Sequence, residues 1–194
     1  MYDIPRKAPL VYLSSSANVH QDIAEDIIAF AVECANAGVK RVYWLFSTPG
    51  GKVSDGINVY NVLRGMPFEL AIHNVANVDS IGNVIFLATD ERYAVPSATF
   101  MFHTVGIEIK DTRLDFKSGM EIMESIQNDK NRMVDIIEKH ITLPRRQIDN
   151  LFHRQREKDV RFALEAGIIS DVREVKVEPG APVIALRTKR ENGD

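Results

Sequence analysis

The sequence predicts a mixed α/β fold in which mostly parallel strands alternate with helices packed against them. Three observations predict it. Apolar runs too continuous for half-exposed strands alternate with segments of helical periodicity. Turn-forming residues separate these segments at intervals suited to βαβ units. The chain has 194 residues and 45% hydrophobic composition, enough to bury one sizeable core. The expectation is one domain spanning residues 1–194.

The first strand is expected over Pro9–Ser14, where Leu10-Val11-Tyr12-Leu13 runs into the polar cluster Ser14-Ser15-Ser16-Ala17-Asn18. A helix over Gln21–Ala37 follows from Ile23, Ile27, Ala31 and Cys34 recurring at spacings of three and four. Gly38 stands where a helix commonly takes its left-handed terminal residue. Val42-Tyr43-Trp44-Leu45-Phe46 reads as a strand covered on both faces and parallel to the first. A turn at Thr48-Pro49-Gly50-Gly51, a helix over Val53–Arg64 and a strand over Glu69–Val75 repeat the alternation. After Ser80, Val84, Ile85, Leu87 and Ala88 crowd the stretch from Ile81, as in a buried helix beneath a sheet. Short strands are expected near Tyr93–Val95 and Thr99–Phe102. A long helix over about Leu114–Lys139 carries Phe116, Met120, Met123, Gln127, Met133 and Ile137 near one stripe. Such a stripe suits either a partner surface or an ordinary core contact. Pro144 opens another helix, Phe162–Ala166 forms a short one ended by Gly167, Pro182–Leu186 is extended, and the charged end frays.

The formal charge of −3 arises from intermixed acidic and basic residues, so neither a nucleic acid nor a membrane surface is an expected partner. Cys34 is the only cysteine, which excludes an intrachain disulfide and fits a small buried hydrophobe in a reducing compartment. No segment is apolar for long enough to be a signal peptide core or a membrane span, so a soluble, cytoplasmic protein is expected. His20, His73, His140 and His153 lack ligand spacing, and no metal site is expected. Arg145-Arg146 and Arg154-Gln155-Arg156 read as a solvated helix face.

Acyl transfer requires a nucleophile, a base within hydrogen-bonding reach and backbone donors aimed at the developing oxyanion. Gly50-Gly51, directly after a strand, leaves N–H groups unobstructed by side chains. Asp79-Ser80-Ile81-Gly82 lies where a strand gives way to a buried helix, so Ser80 sits near a helix N-terminus. Asp79 itself reads as the cap of that helix, in preference to a residue that tunes the site electrostatically or simply faces solvent. His103 closes Phe100-Met101-Phe102-His103, where it can point into the same cleft. Each signal alone is weak, because such turns, caps and strand-end histidines are commonly structural.

Their order and spacing carry a family resemblance. Ser47-Thr48-Pro49-Gly50-Gly51, Asp79-Ser80-Ile81-Gly82 and Val95-Pro96-Ser97-Ala98-Thr99-Phe100-Met101-Phe102-His103 together resemble the proteolytic subunit of Clp proteases. The resemblance extends through the long helix to Glu165-Ala166-Gly167-Ile168-Ile169-Ser170-Asp171 and covers most of the chain. It implies a crotonase-like α/β fold of repeated β-β-α units, with a handle helix at about 114–139 joining stacked homo-oligomeric rings into a chamber. It further implies a serine-type endopeptidase acting on unfolded polypeptides or peptides. Ser80 is then the nucleophile, His103 the base, and the N–H groups of Gly51 and Ile81 the oxyanion hole, with no cofactor.

The sequence departs from the family in three places. Matching Ile148 and Gly167 without gaps puts Leu151 where the family has the aspartate that orients the histidine; neighbouring Asp149 is the candidate acid. Val78-Asp79-Ser80-Ile81 replaces the family's small residues and methionine around the serine. Tyr2-Asp3-Ile4 matches the family after its axial loop, so the residues that contact an AAA+ ATPase unfoldase are expected to be missing. Two alternatives remain: a ring-forming scaffold or regulatory subunit with a weakened triad, and a crotonase-type acyl-CoA enzyme, against which Ser80 with His103 argues.

Overall fold

The computed structural model describes residues 2–106 and 115–186. The expected frayed end, 187–194, and Leu114, the expected start of the long helix, lie outside the described residues. Strands β1 (Val11–Ser16), β2 (Arg41–Thr48) and β3 (Glu69–Asp79) run parallel and side by side, with α1 (Gln21–Ala37) and α2 (Val53–Arg64) as their crossovers. Both helices match the expected bounds, and Gly38 takes the left-handed conformation at the end of α1.

The apolar face of α1 fits this topology. Ile23, Ile27, Phe30, Ala31 and Cys34 are buried, and they join a core with Leu13 of β1 and Trp44 of β2. Burial pushes the Cys34 thiol up to about 12, so it stays protonated and inert. The strand β1 runs two residues further than expected, through Ser16. Ser15 remains inside because Trp44 Nε1 donates to its hydroxyl at 2.9 Å, which satisfies both groups. Burial along β2 also differs from a strand covered on both faces. Val42, Trp44 and Phe46 are buried, whereas Arg41, Tyr43 and Leu45 are half-exposed, since the helices cover one face more completely.

The outer edge of β3 divides between two strands. Ala71–Asn74 pair with β4 (Glu91–Ala94), and Asn77–Asp79 pair with β5 (Thr99–Met101). Between these stretches, the register against β2 slips between Phe46 and Thr48, an irregularity of the kind that bends a strand. This second pairing carries β3 four residues beyond its expected end, up to the residue before Ser80. Strand β6 (Glu157–Asp159) joins β5 antiparallel, β7 (Asp171–Val172) joins β4, and β8 (Val183–Ala185) joins the free edge of β1, completing an eight-stranded sheet. Neither β6 nor β7 was legible in the sequence, because three and two residues are too few to display a period of two.

Helix α3 (Gly82–Phe86) is buried at every residue. The long helix α4 (Phe116–Ile137) has two halves of opposite character. Met133, Val134 and Ile137 are fully buried, but Phe116, Met120 and Met123 are 84%, 57% and 66% exposed. Helices α5 (Arg145–Arg154) and α6 (Val160–Glu165) follow. Arg92 of β4 ties this region to the sheet, donating to the carbonyls of Ile168 at 2.7 Å and Gly167 at 3.0 Å. Among the described residues, no helix is long and apolar enough to cross a membrane.

Candidate active site

The divided edge of β3 determines where Ser80 lies. Its N–H donates to the Met101 carbonyl at 2.8 Å, extending the β3–β5 ladder by one bond. Asn83 Nδ2 then donates to the same carbonyl at 2.8 Å and to the Ser80 carbonyl at 3.1 Å. Clamped in this way, Ser80 adopts φ +55°, a left-handed conformation that non-glycine residues seldom occupy. Such strain persists only where surrounding bonds impose it, and it concentrates at functional sites. Ser80 is 5% exposed, yet it lines a cleft of about 400 Å³ together with Gly51, Lys52, His103 and Asp129.

The turn after β2 forms the opposite wall. Val19 N–H donates to the Gly50 carbonyl and Lys52 N–H donates to the Val19 carbonyl, both at 2.7 Å. These two bonds straddle Gly51, whose own N–H therefore faces away from Val19. A Cβ on Gly51 would lie 2.0 Å from the Val19 carbonyl oxygen, and one on Gly50 would lie 2.5 Å from Ser80 Cβ. Only a turn without side chains brings this backbone so close to the serine. Among the described residues, neither Gly51 N–H nor Ile81 N–H donates to a backbone carbonyl. Both remain available to a negatively charged oxygen.

His103 lies two residues beyond β5 rather than at its last residue. Its Nδ1 is 3.0 Å from the Thr104 carbonyl oxygen. A carbonyl only accepts, so this hydrogen bond requires the proton on Nδ1, which leaves the Nε2 lone pair as the basic position. Thr104 is held in turn: its hydroxyl donates to the Phe152 carbonyl at 3.3 Å and accepts from Gln155 Nε2 at 2.9 Å.

The acid is placed elsewhere. Asp149 Oδ1 pairs with Lys130 Nζ at 2.7 Å, between α5 and α4, and Leu151 is buried beside it. Ser80, His103 and Gly51 thus line one cleft, with Ile81 buried next to Ser80 in the chain, whereas Asp149 is engaged with Lys130. Asp79 departs from its expected role as a helix cap. The cap position of α3 is Ile81, without a side-chain bond, and Asp79 Oδ2 accepts from Asn77 Nδ2 at 2.6 Å. As alternate residues of a strand, Asn77 and Asp79 share a face, so this bond forms more readily than a cap. Burial raises the Asp79 carboxyl above its ordinary value, as does the charge of Glu157; Asn77 and His103 oppose the rise. The contributions of Lys52 and Asp129 had no local signal, since each reaches the cleft only through tertiary packing. No group of three His, Cys, Asp or Glu side chains capable of holding a metal occurs among the described residues.

Comparison with known proteins accords with this arrangement. Residues 9–176 match the family model described as Clp protease. The ATP-dependent Clp protease proteolytic subunit 1 of Streptomyces coelicolor is 25% identical over 156 residues, covering 79% of this chain and 70% of the relative. Subunit 1 of Leifsonia xyli is 23% identical over 177 residues, covering 90% and 87% respectively. A mutant of ClpP1 from Listeria monocytogenes superimposes with a TM-score of 0.75 at 18% identity, covering 87% of this chain and 92% of that one. A chain matched to one family model through nearly all of its sheet, on the same scaffold as a solved ClpP, belongs to the Clp protease family and has the ClpP-type, crotonase-like fold.

Proposed function

We propose that this chain is a serine peptidase subunit of Clp type, hydrolysing peptide bonds of unfolded polypeptides inside a chamber of stacked rings. The observation that carries this reading is Ser80, strained at φ +55° in one cleft with His103 and the Gly51 turn. Ser80 Oγ attacks the scissile carbonyl as His103 Nε2 takes its proton, and the Gly51 and Ile81 N–H groups receive the oxyanion. His103 then returns the proton to the leaving amine, and water repeats the sequence on the acyl-enzyme. The exposed outer half of α4 supports ring stacking, since Phe116, Met120 and Met123 form an apolar patch on a projecting helix. The relatives named ATP-dependent support an ATPase partner, whereas the match of Tyr2-Asp3-Ile4 to the family beyond its axial loop argues against one.

The test is mass-spectrometric mapping of a fluorophosphonate adduct on the assembled protein. An adduct on Ser80, absent in Ser80→Ala and diminished in His103→Ala, is the expected result. Absence of any Ser80 adduct overturns the reading. One observation favours a second reading, a ring-forming regulatory subunit of low activity: Asp149 pairs with Lys130, and Nδ1 of His103 donates to the neutral Thr104 carbonyl. Ring assembly by sedimentation without peptide hydrolysis from pH 5 to 9 is the outcome that selects it.

A further inference from the structure

The acid of a catalytic triad does two things: it fixes the histidine tautomer, and it stabilises the imidazolium that forms when the serine proton arrives. In this chain the Thr104 carbonyl already performs the first, through the 3.0 Å contact with Nδ1. A neutral carbonyl is a poor substitute for a carboxylate in the second. We propose that Asp79 performs it, as a positioning residue reaching His103 from β3 rather than from α5. This inference rests on the serine-peptidase reading of the same cleft.

Strand register carries the argument. Asp79 pairs with Met101 across β3 and β5, and Met101 pairs with Glu157 across β5 and β6. Directly paired residues project to the same face of a sheet, so Asp79, Met101 and Glu157 form one row. Along β5 and beyond it, Phe100 and Phe102 are buried whereas Thr99, Met101 and His103 are not, so the alternation continues through His103. His103 therefore emerges on the face that carries Asp79, two residues beyond Met101, the partner of Asp79. Asp79 is anchored for the purpose. Asn77 donates to its carboxylate at 2.6 Å and to the Thr48 carbonyl at 3.1 Å, while Ser47 Oγ donates to Asn77 Oδ1 at 3.1 Å. One chain of polar groups thus links the acid to the turn that supplies Gly51.

The charged groups around this row are few. Glu157 faces Asp79 from β6. Lys52 and Asp129 also line the cleft of His103, but Lys52 lies 3.8 Å from Asp55, and Asp129 accepts from Arg132 at 3.0 Å. Glu157 raises the Asp79 carboxyl and His103 lowers it. No proton passes to Asp79 in the reaction: it moves from Ser80 to His103 Nε2 and on to the leaving amine, with Asp79 remaining a carboxylate.

Carboxyl NMR titration of intact protein labelled with 13C at aspartate Cγ tests the coupling. The Asp79 resonance should titrate at higher pH in His103→Gln and at lower pH in Glu157→Gln. An Asp79 titration that His103→Gln leaves unmoved overturns the proposal. Fluorophosphonate labelling of Ser80 supplies the second arm. Asp79→Asn should slow labelling about tenfold at pH 7.5, the effect of one neighbouring charge, and Asp79→Glu should restore most of the rate. Equal rates in Asp79→Asn and wild type also overturn it. A wild-type protein that never labels at Ser80 overturns the peptidase reading instead, and the NMR titration still decides whether Asp79 and His103 are coupled.

Discussion

His73 is fully buried on β3, with Nε2 3.0 Å from the Arg173 carbonyl and Nδ1 2.9 Å from the Tyr43 hydroxyl. The carbonyl contact requires a proton on Nε2, so Nδ1 accepts from Tyr43 and the ring is neutral. Burial lowers the His73 titration below its ordinary value, and burial with the charges of Arg64 and Arg92 does the same for His140. A histidine lowered in the folded state contributes stability above its unfolded value and loses it as pH falls through the folded one. Urea unfolding midpoints should therefore decline between about pH 7 and pH 5, and His73→Gln with His140→Gln should flatten that decline. Gly51 makes a separate prediction. A Cβ there meets the Val19 carbonyl, so Gly51→Ala should displace the turn and reduce Ser80 labelling by about 100-fold or more, while circular dichroism retains the folded signature.

At the level of elements, α4 concentrates the most information. Its inner half behaves as core: Met133→Ala should destabilise the chain by about 2–5 kcal/mol, measured by chemical denaturation. Its outer half touches solvent, so Met120→Lys with Met123→Glu should alter that stability by less than about 1 kcal/mol. The same pair should abolish higher-order assembly in sedimentation velocity, because a charged patch cannot be buried against a second apolar helix. The stripe from Phe116 to Ile137 was visible in the sequence as one feature. Only the packing of α2, α3 and α5 against α4 divides it into a buried inner segment and an exposed outer one.

For the whole molecule, assembly and chemistry should be linked. Asp129 lines the cleft from α4, the element whose outer half exposes Phe116, Met120 and Met123. Dilution that dissociates the oligomer should therefore lower the Ser80 labelling rate per subunit, in step with the assembled fraction measured at each concentration. A rate independent of concentration separates the cleft from the assembly. Much of the architecture was legible beforehand. The residues of α1 and α2 carry unambiguous periods, and Gly50-Gly51, Ser80 and His103 stand in a recognisable order. The extension of β3 to Asp79 was not legible, because its second partner, β5, is non-local.

The sequence by itself determined the βαβ alternation and the order of Gly50-Gly51, Ser80 and His103, since these depend on local periodicity and chemical identity. Tertiary structure alone decided where Asp149 and Asp79 lie. Asp149 is close to the family's acid position in sequence, but an ion pair with Lys130 across α4 and α5 engages it. Asp79, read locally as a helix cap, instead accepts from Asn77 and stands in one row with Met101 and Glu157 through the registers of β3, β5 and β6. Register is a relation between distant segments, set by their joint burial and hydrogen bonding, and no stretch of either strand encodes it alone.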